Sequence, residues 1–146
     1  MNRHALIPPG VLLAMHWAFA GTGPVSVSQA WVRAGPPSIS VYAGYLMLNN
    51  RSNQTQTIVA VSSPRFAKVE IHRTQIENGI ARMVKQSELV LAPNGILKLE
   101  PGGLHLMLID PNGVLELNER IPVQLEFANG ASMNSELTVR AAPPDT

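Results

Sequence analysis

Four side chains stand at spacings that could build a soft-metal site: His72, Met83, His105 and Met107. Asn78-Gly79 separates two alternating runs, and this dipeptide favours a two-residue hairpin turn because both residues tolerate positive φ. Such a turn pairs Glu77 with Ile80, Gln75 with Arg82 and His72 with Lys85. Residues two apart share a face, so Met83 joins Lys85 and His72 on one face. That makes His72 and Met83 diagonal neighbours, with Cβ atoms about 7 Å apart. His105 and Met107 are i and i+2 in an apolar run, hence on one face about 6.6 Å apart. Each pair joins one imidazole to one thioether. If the two strand regions meet, the result is a His₂Met₂ cluster.

That donor set has a definite chemistry. Thioethers are soft and neutral, and they suit copper(I) better than zinc, calcium or magnesium. They need no deprotonation, so proton competition falls mainly on the histidines. Methionines also escape loss to disulfides in an oxidising compartment, although sulfoxide formation remains open to them. The plainer reading of each residue is that a strand methionine fills core and a lone histidine sits at the surface. The pairing of both histidines with methionines on common faces brings the metal reading level with the plainer one.

The elements that must position these groups read as strands. No long 3.6-residue period appears; short apolar or alternating runs recur between turn signals, the pattern of an all-β sandwich or barrel. Strands are expected near 25–33, 41–49, 56–63, 67–76, 80–86, 95–99, 104–109, 121–128 and 132–140. Asn129-Gly130 reads as a second hairpin, Asp110-Pro111-Asn112-Gly113 as a type I turn, and Pro101-Gly102-Gly103 as a corner. Met47 and Met133 are read as core. Gly102 and Gly103 either let the chain approach the site closely or simply turn a tight corner.

Composition narrows the classes of function. The 146-residue chain fits one domain. It has a formal charge of +1 and no basic run, which argues against nucleic-acid binding. It has no cysteine, which excludes disulfides, thiolate zinc sites, cysteine nucleophiles and the His₂Cys blue-copper centre. The only aspartates are Asp110 and Asp145, and the glutamates are scattered with no paired-carboxylate or nucleophile–base arrangement, so no enzyme is expected. Residues 1–20 read as a signal peptide: Arg3 and His4, an apolar stretch from Val11 to Phe19, then the small-x-small sequence Ala18-Phe19-Ala20. Its removal leaves His72 and His105 as the only histidines. The expected organisation is a signal peptide (1–20), one β-domain (21–140) and a flexible tail (141–146).

The full spacing, H-x₁₀-M-x₂₁-H-x-M, resembles that of the periplasmic copper chaperones of the PCuAC type. The resemblance runs from Ala30-Trp31-Val32-Arg33 and Pro36-Pro37 through Ala43-Gly44-Tyr45-Leu46, Asn49-Asn50, Ser63-Pro64 and Val69-Glu70-Ile71-His72 to the last strand. Pro101-Gly102-Gly103-Leu104-His105-Leu106-Met107 is its most characteristic segment. It implies a cupredoxin-like Greek-key β-sandwich holding one copper(I) ion per monomeric chain. The implied role is to carry copper(I) through the periplasm to cytochrome c oxidase assembly, either to an oxidase subunit or to a thiol-bearing assembly protein. Arg73 stands where many relatives carry a methionine, so no fifth sulfur ligand is expected. The tail lacks the histidines and methionines of some relatives, so no copper(II) site is expected there. The competing reading is a non-metal adaptor module on the same scaffold.

Overall fold

Alternation of apolar and polar residues dictates the layering. In β8 (Leu104–Pro111), Leu104, Leu106 and Leu108 point inward and are buried; in β9 (Arg120–Phe127), Ile121, Val123 and Leu125 do the same. A two-residue side-chain period places every second residue on one face, so each strand contributes one row to the core. The computed structural model describes residues 23–145. Within them lie eight further strands: β1 (Val25–Arg33), β2 (Val41–Asn50), β3 (Gln56–Ser62), β4 (Phe66–Glu77), β5 (Ile80–Gln86), β6 (Leu89–Leu91), β7 (Ile96–Leu99) and β10 (Ser132–Arg140). No helix interrupts them among the described residues. The expected signal peptide, residues 1–20, lies outside the described residues.

The strands follow the order β5-β4-β8-β2-β1-β10-β9-β3-β6, with β7 also paired to β2. All pairings are antiparallel except β1 with β10. This open mixed sheet wraps around one apolar core that includes Val32, Leu46, Leu48, Ile58, Leu106, Leu108 and Leu137. It is the all-β architecture expected from the strand pattern, with the cupredoxin-like fold that the resemblance implies. Gly44 faces that core: a Cβ there would lie 2.9 Å from Leu108 Cδ1 and 3.3 Å from Leu137 Cδ1, so a side chain would have to displace those leucine methyls.

Two strands, β7 and β8, share one edge of β2. β7 pairs with Leu46–Asn49 and β8 with Val41–Gly44. The corner between them, Glu100 to Gly103, is closed by Gly103 N–H donating to Glu100 C=O at 3.0 Å and Glu100 N–H donating to Leu104 C=O at 2.9 Å. Gly102 takes φ +85°, and a Cβ there would meet nothing within 4 Å. The glycine is therefore required by the turn and not by a close approach, which decides between the two sequence readings.

Other local differences have simple causes. The strand β6 was not expected; three residues, Leu-Val-Leu, carry no readable period. The Asn129-Gly130 hairpin has three loop residues: Phe127 N–H donates to Ala131 C=O at 2.8 Å, and Gly130 carries the positive φ of +87°. Past Asp110, β8 continues to Pro111, with Asp110 itself at φ +54°. The buried Asn50 is the polar bolt of this end. Its Nδ2 donates to Gln54, Leu91 and Ala92 carbonyls, and its Oδ1 accepts from Ser52 N–H and Oγ–H.

Candidate metal centre

The Asn78-Gly79 turn forms as its chemistry requires, with φ +51° and +78°. The resulting register pairs His72 with Lys85, Thr74 with Met83, Gln75 with Arg82 and Glu77 with Ile80. Met83 thus stands diagonal to His72 on one face, as the sequence predicted. The second half arrives by long-range pairing. β4 lies against β8 so that His72 is directly opposite His105 and Glu70 directly opposite Met107. The two strands do not face one another from separate sheets; they are hydrogen-bonded neighbours. Thr74 N–H donating to Gly103 C=O at 3.1 Å extends that pairing.

His72, Met83, His105 and Met107 therefore lie on a common face of three adjacent strands, the face opposite the core. The imidazole centroids are 6.0 Å apart with planes inclined by 38°. Burial grades across the site. His105 is 4% exposed, Met107 is half-buried, and Met83 on the edge strand β5 is 61% exposed. Arg73 points to the other side of β4, where its neighbours in register are Val84 and Leu104.

Each imidazole is held by one nitrogen. His72 Nε2 lies 2.8 Å from Glu70 Oε2, and His105 Nδ1 lies 3.1 Å from Gly103 C=O. Both partners only accept, so each of these nitrogens carries the proton and donates. The opposite nitrogens, His72 Nδ1 and His105 Nε2, then present lone pairs. They are buried and have no hydrogen-bond partner. Leaving such a group unpaired costs about 1–3 kcal/mol, and here two occur on facing residues. A ligating histidine characteristically donates its other N–H to a carboxylate or backbone carbonyl, which is the pattern both rings show. The donors fit a metal ion.

Among the described residues no group of three or more His, Cys, Asp or Glu side chains could hold a metal. The thioethers of Met83 and Met107 share the face with these two nitrogens.

Sequence reasoning missed Glu70. Its carboxylate accepts from Lys68 Nζ at 2.7 Å and from Lys85 Nζ at 3.3 Å as well as from His72. The Lys68 hydrogen bond first, and then those of His72 and Lys85, hold it at about 2, well below its ordinary 4.5. The i, i+2 spacing of Glu70 and His72 was the available signal. Also unforeseen was a second buried patch on the outer face. Trp31 and Tyr45 pack with ring centroids 5.0 Å apart and stand outside the main core, with Tyr45 at the junction of β7 and β8. Met47 lines a hollow of about 160 Å³ beside Trp31, together with Pro143 and Pro144 of the tail, while Met133 packs against the core as expected.

Residues 25–139 match the family described as "Putative lipoprotein LpqE-like". The chain belongs to the LpqE-like family. Relatives of this LpqE-like chain include a "Putative lipoprotein" of Leifsonia xyli, 31% identical over 109 residues, which are 74% of this chain and 64% of that one. An uncharacterized protein of Rickettsia prowazekii is 33% identical over 106 residues, covering 68% and 56% of the two chains. The LpqE-like chain thus spans less than two thirds of the length of either curated relative. Among solved structures, the solution structure of CuI-DR1885 from Deinococcus radiodurans is 31% identical, with a TM-score of 0.66 over 85% of this chain and 83% of that one. The copper-bound PCuAC domain from PmoF2, at 19% identity, shares the fold with a TM-score of 0.69 over 82% and 95% of the two chains.

Proposed function

We propose that this LpqE-like protein is an exported copper(I) chaperone of the cell envelope. One ion per chain is bound by His72 Nδ1, His105 Nε2 and the Sδ atoms of Met83 and Met107. The observation that carries this reading is the pair of buried, unpartnered imidazole nitrogens on facing residues, beside two thioethers. The copper named for the DR1885 and PmoF2 structures and the lipoprotein name of the Leifsonia relative support it.

Neutral donors leave the single charge of copper(I) uncompensated, which disfavours the doubly charged ions that hard oxygen ligands retain. Graded burial suits a carrier. His105 and Met107 hold the ion from the sheet interior, while Met83 on the exposed edge strand is the ligand an acceptor displaces first. No covalent bond is made or broken; the protein binds and hands on. The signal peptide at 1–20 would place it in the periplasm. The receiving protein would be a cytochrome c oxidase subunit or a thiol-bearing assembly partner, since thiolate outcompetes thioether for copper(I).

Titration with copper(I) under anaerobic, reducing conditions against a chromophoric copper(I) chelator tests the reading. Sub-micromolar binding at one ion per chain is expected, weakened well beyond tenfold by combined loss of Met83 and Met107. Failure to compete would leave a non-metal adaptor on the same scaffold. Transfer from the loaded protein to an oxidase copper domain, or to a dithiol assembly protein, then identifies the acceptor.

A further inference from the structure

His72 differs from His105 in what holds it. The His105 ring is oriented by a backbone carbonyl fixed in the corner of the chain, which no side-chain substitution removes. The His72 ring is oriented by a side chain, the Glu70 carboxylate, 2.8 Å from Nε2. Glu70 does not turn its carboxylate freely. Lys68 from its own strand and Lys85 from β5 both hold Oε1, at 2.7 and 3.3 Å, which leaves Oε2 aimed at the imidazole. The Glu70 side chain is 13% exposed, as is that of His72. The same carboxylate therefore fixes a ring nitrogen on β4 and ties it to β5, the strand that carries Met83.

Resting on the copper reading above, we infer that Glu70 is the positioning residue of the site: it holds the Nε2 proton of His72 so that Nδ1 is the nitrogen offered to copper(I). Glu70 does not touch the ion. It acts through His72, by fixing which nitrogen bears the proton and where the ring plane lies. Outer partners of this kind typically change metal affinity by about 10- to 100-fold.

A double-mutant cycle tests this, because a residue that acts only through His72 loses its effect when His72 is gone. Copper(I) affinity is measured by chelator competition for wild type, Glu70→Ala, His72→Ala and the pair. Glu70→Ala is expected to lower affinity about tenfold or more, and to add less than about twofold in the His72→Ala background. Glu70→Gln keeps an acceptor oxygen and is expected to restore affinity to within about threefold of wild type. A readout without copper accompanies these. Imidazole ¹⁵N shifts of the apo protein should show His72 protonated on Nε2 in wild type and Glu70→Gln, with an Nδ1–H population emerging in Glu70→Ala.

A full, additive loss from Glu70→Ala in the absence of His72 would overturn the inference. So would wild-type affinity in a folded Glu70→Ala protein, or a Glu70→Gln variant as weak as Glu70→Ala. If wild type itself fails to bind copper(I), the chaperone reading falls instead; the ¹⁵N experiment still reports whether Glu70 sets the proton.

Discussion

The two faces of β8 are built from alternate residues of one short segment and answer to different demands. Leu104, Leu106 and Leu108 face inward, and the last two are fully buried in the common core. His105 and Met107 face outward, opposite His72 and Glu70. The inward row is interchangeable hydrocarbon, judged by volume and packing. The outward row is judged by donor atoms: a buried nitrogen left without a partner is a liability in any core, and here two are kept. One face of the strand stabilises the molecule, and the other carries the donors on which the copper proposal rests.

Neighbouring substitutions separate the two roles. The largest expected effect is on the inner face. Leu106→Ala removes a fully buried side chain and should destabilise by about 2–5 kcal/mol in denaturant unfolding, while the folded fraction keeps near wild-type copper(I) affinity. One residue on, Met107→Ala should lower copper(I) affinity at least tenfold, about 1.4 kcal/mol, with a much smaller stability change. Met83→Ala should also cost at least tenfold. Being exposed, it should additionally speed release of copper to a chelator more than Met107→Ala does. Equal stability losses at 106 and 107, or equal affinity losses, would erase the distinction between the faces.

Smaller effects test how the outward face is held in register. Gly79→Ala places a Cβ at φ +78°, where nothing crowds it sterically from nearby residues. The cost is therefore that of left-handed backbone alone, about 1 kcal/mol, read as a shift in the unfolding midpoint. The smallest effect is acid-dependent. Glu70 is held at about 2 against an ordinary 4.5. Its ionised form therefore stabilises the fold fully above pH 4.5, and that contribution fades as pH falls through about 2. Wild type should exceed Glu70→Gln in apo stability at pH 6, with the gap closing near pH 2. A gap independent of pH would mean the carboxylate charge is not what the lysines hold.

How far the sequence alone could reach follows from what fixed each contact. The β4–β5 register was readable because Asn78-Gly79 specifies a turn with two positive φ values, and a two-residue loop leaves one pairing. The shared face of His105 and Met107 needed only the strand period. The apposition of His72 and His105 was not readable, because β4 and β8 are brought together by the whole sheet order and no local signal encodes it. Asn129-Gly130 has the same dipeptide as the first hairpin yet closes a three-residue loop, since there only the glycine takes a positive φ. The short β6 lies below the length at which alternation can be read. Glu70 was overlooked because a strand glutamate reads as solvent-facing until its neighbours on β5 and β8 are known.

In the proposed site, two nitrogens and two sulfurs from three adjacent strands surround one copper(I) ion. Copper K-edge X-ray absorption on the protein loaded with one equivalent of copper(I) reads that shell. Both nitrogen and sulfur neighbours are expected, with the sulfur contribution lost in the Met83→Ala, Met107→Ala double variant. A shell of nitrogen and oxygen alone in the wild-type protein, or a sulfur shell unchanged in that variant, would contradict it.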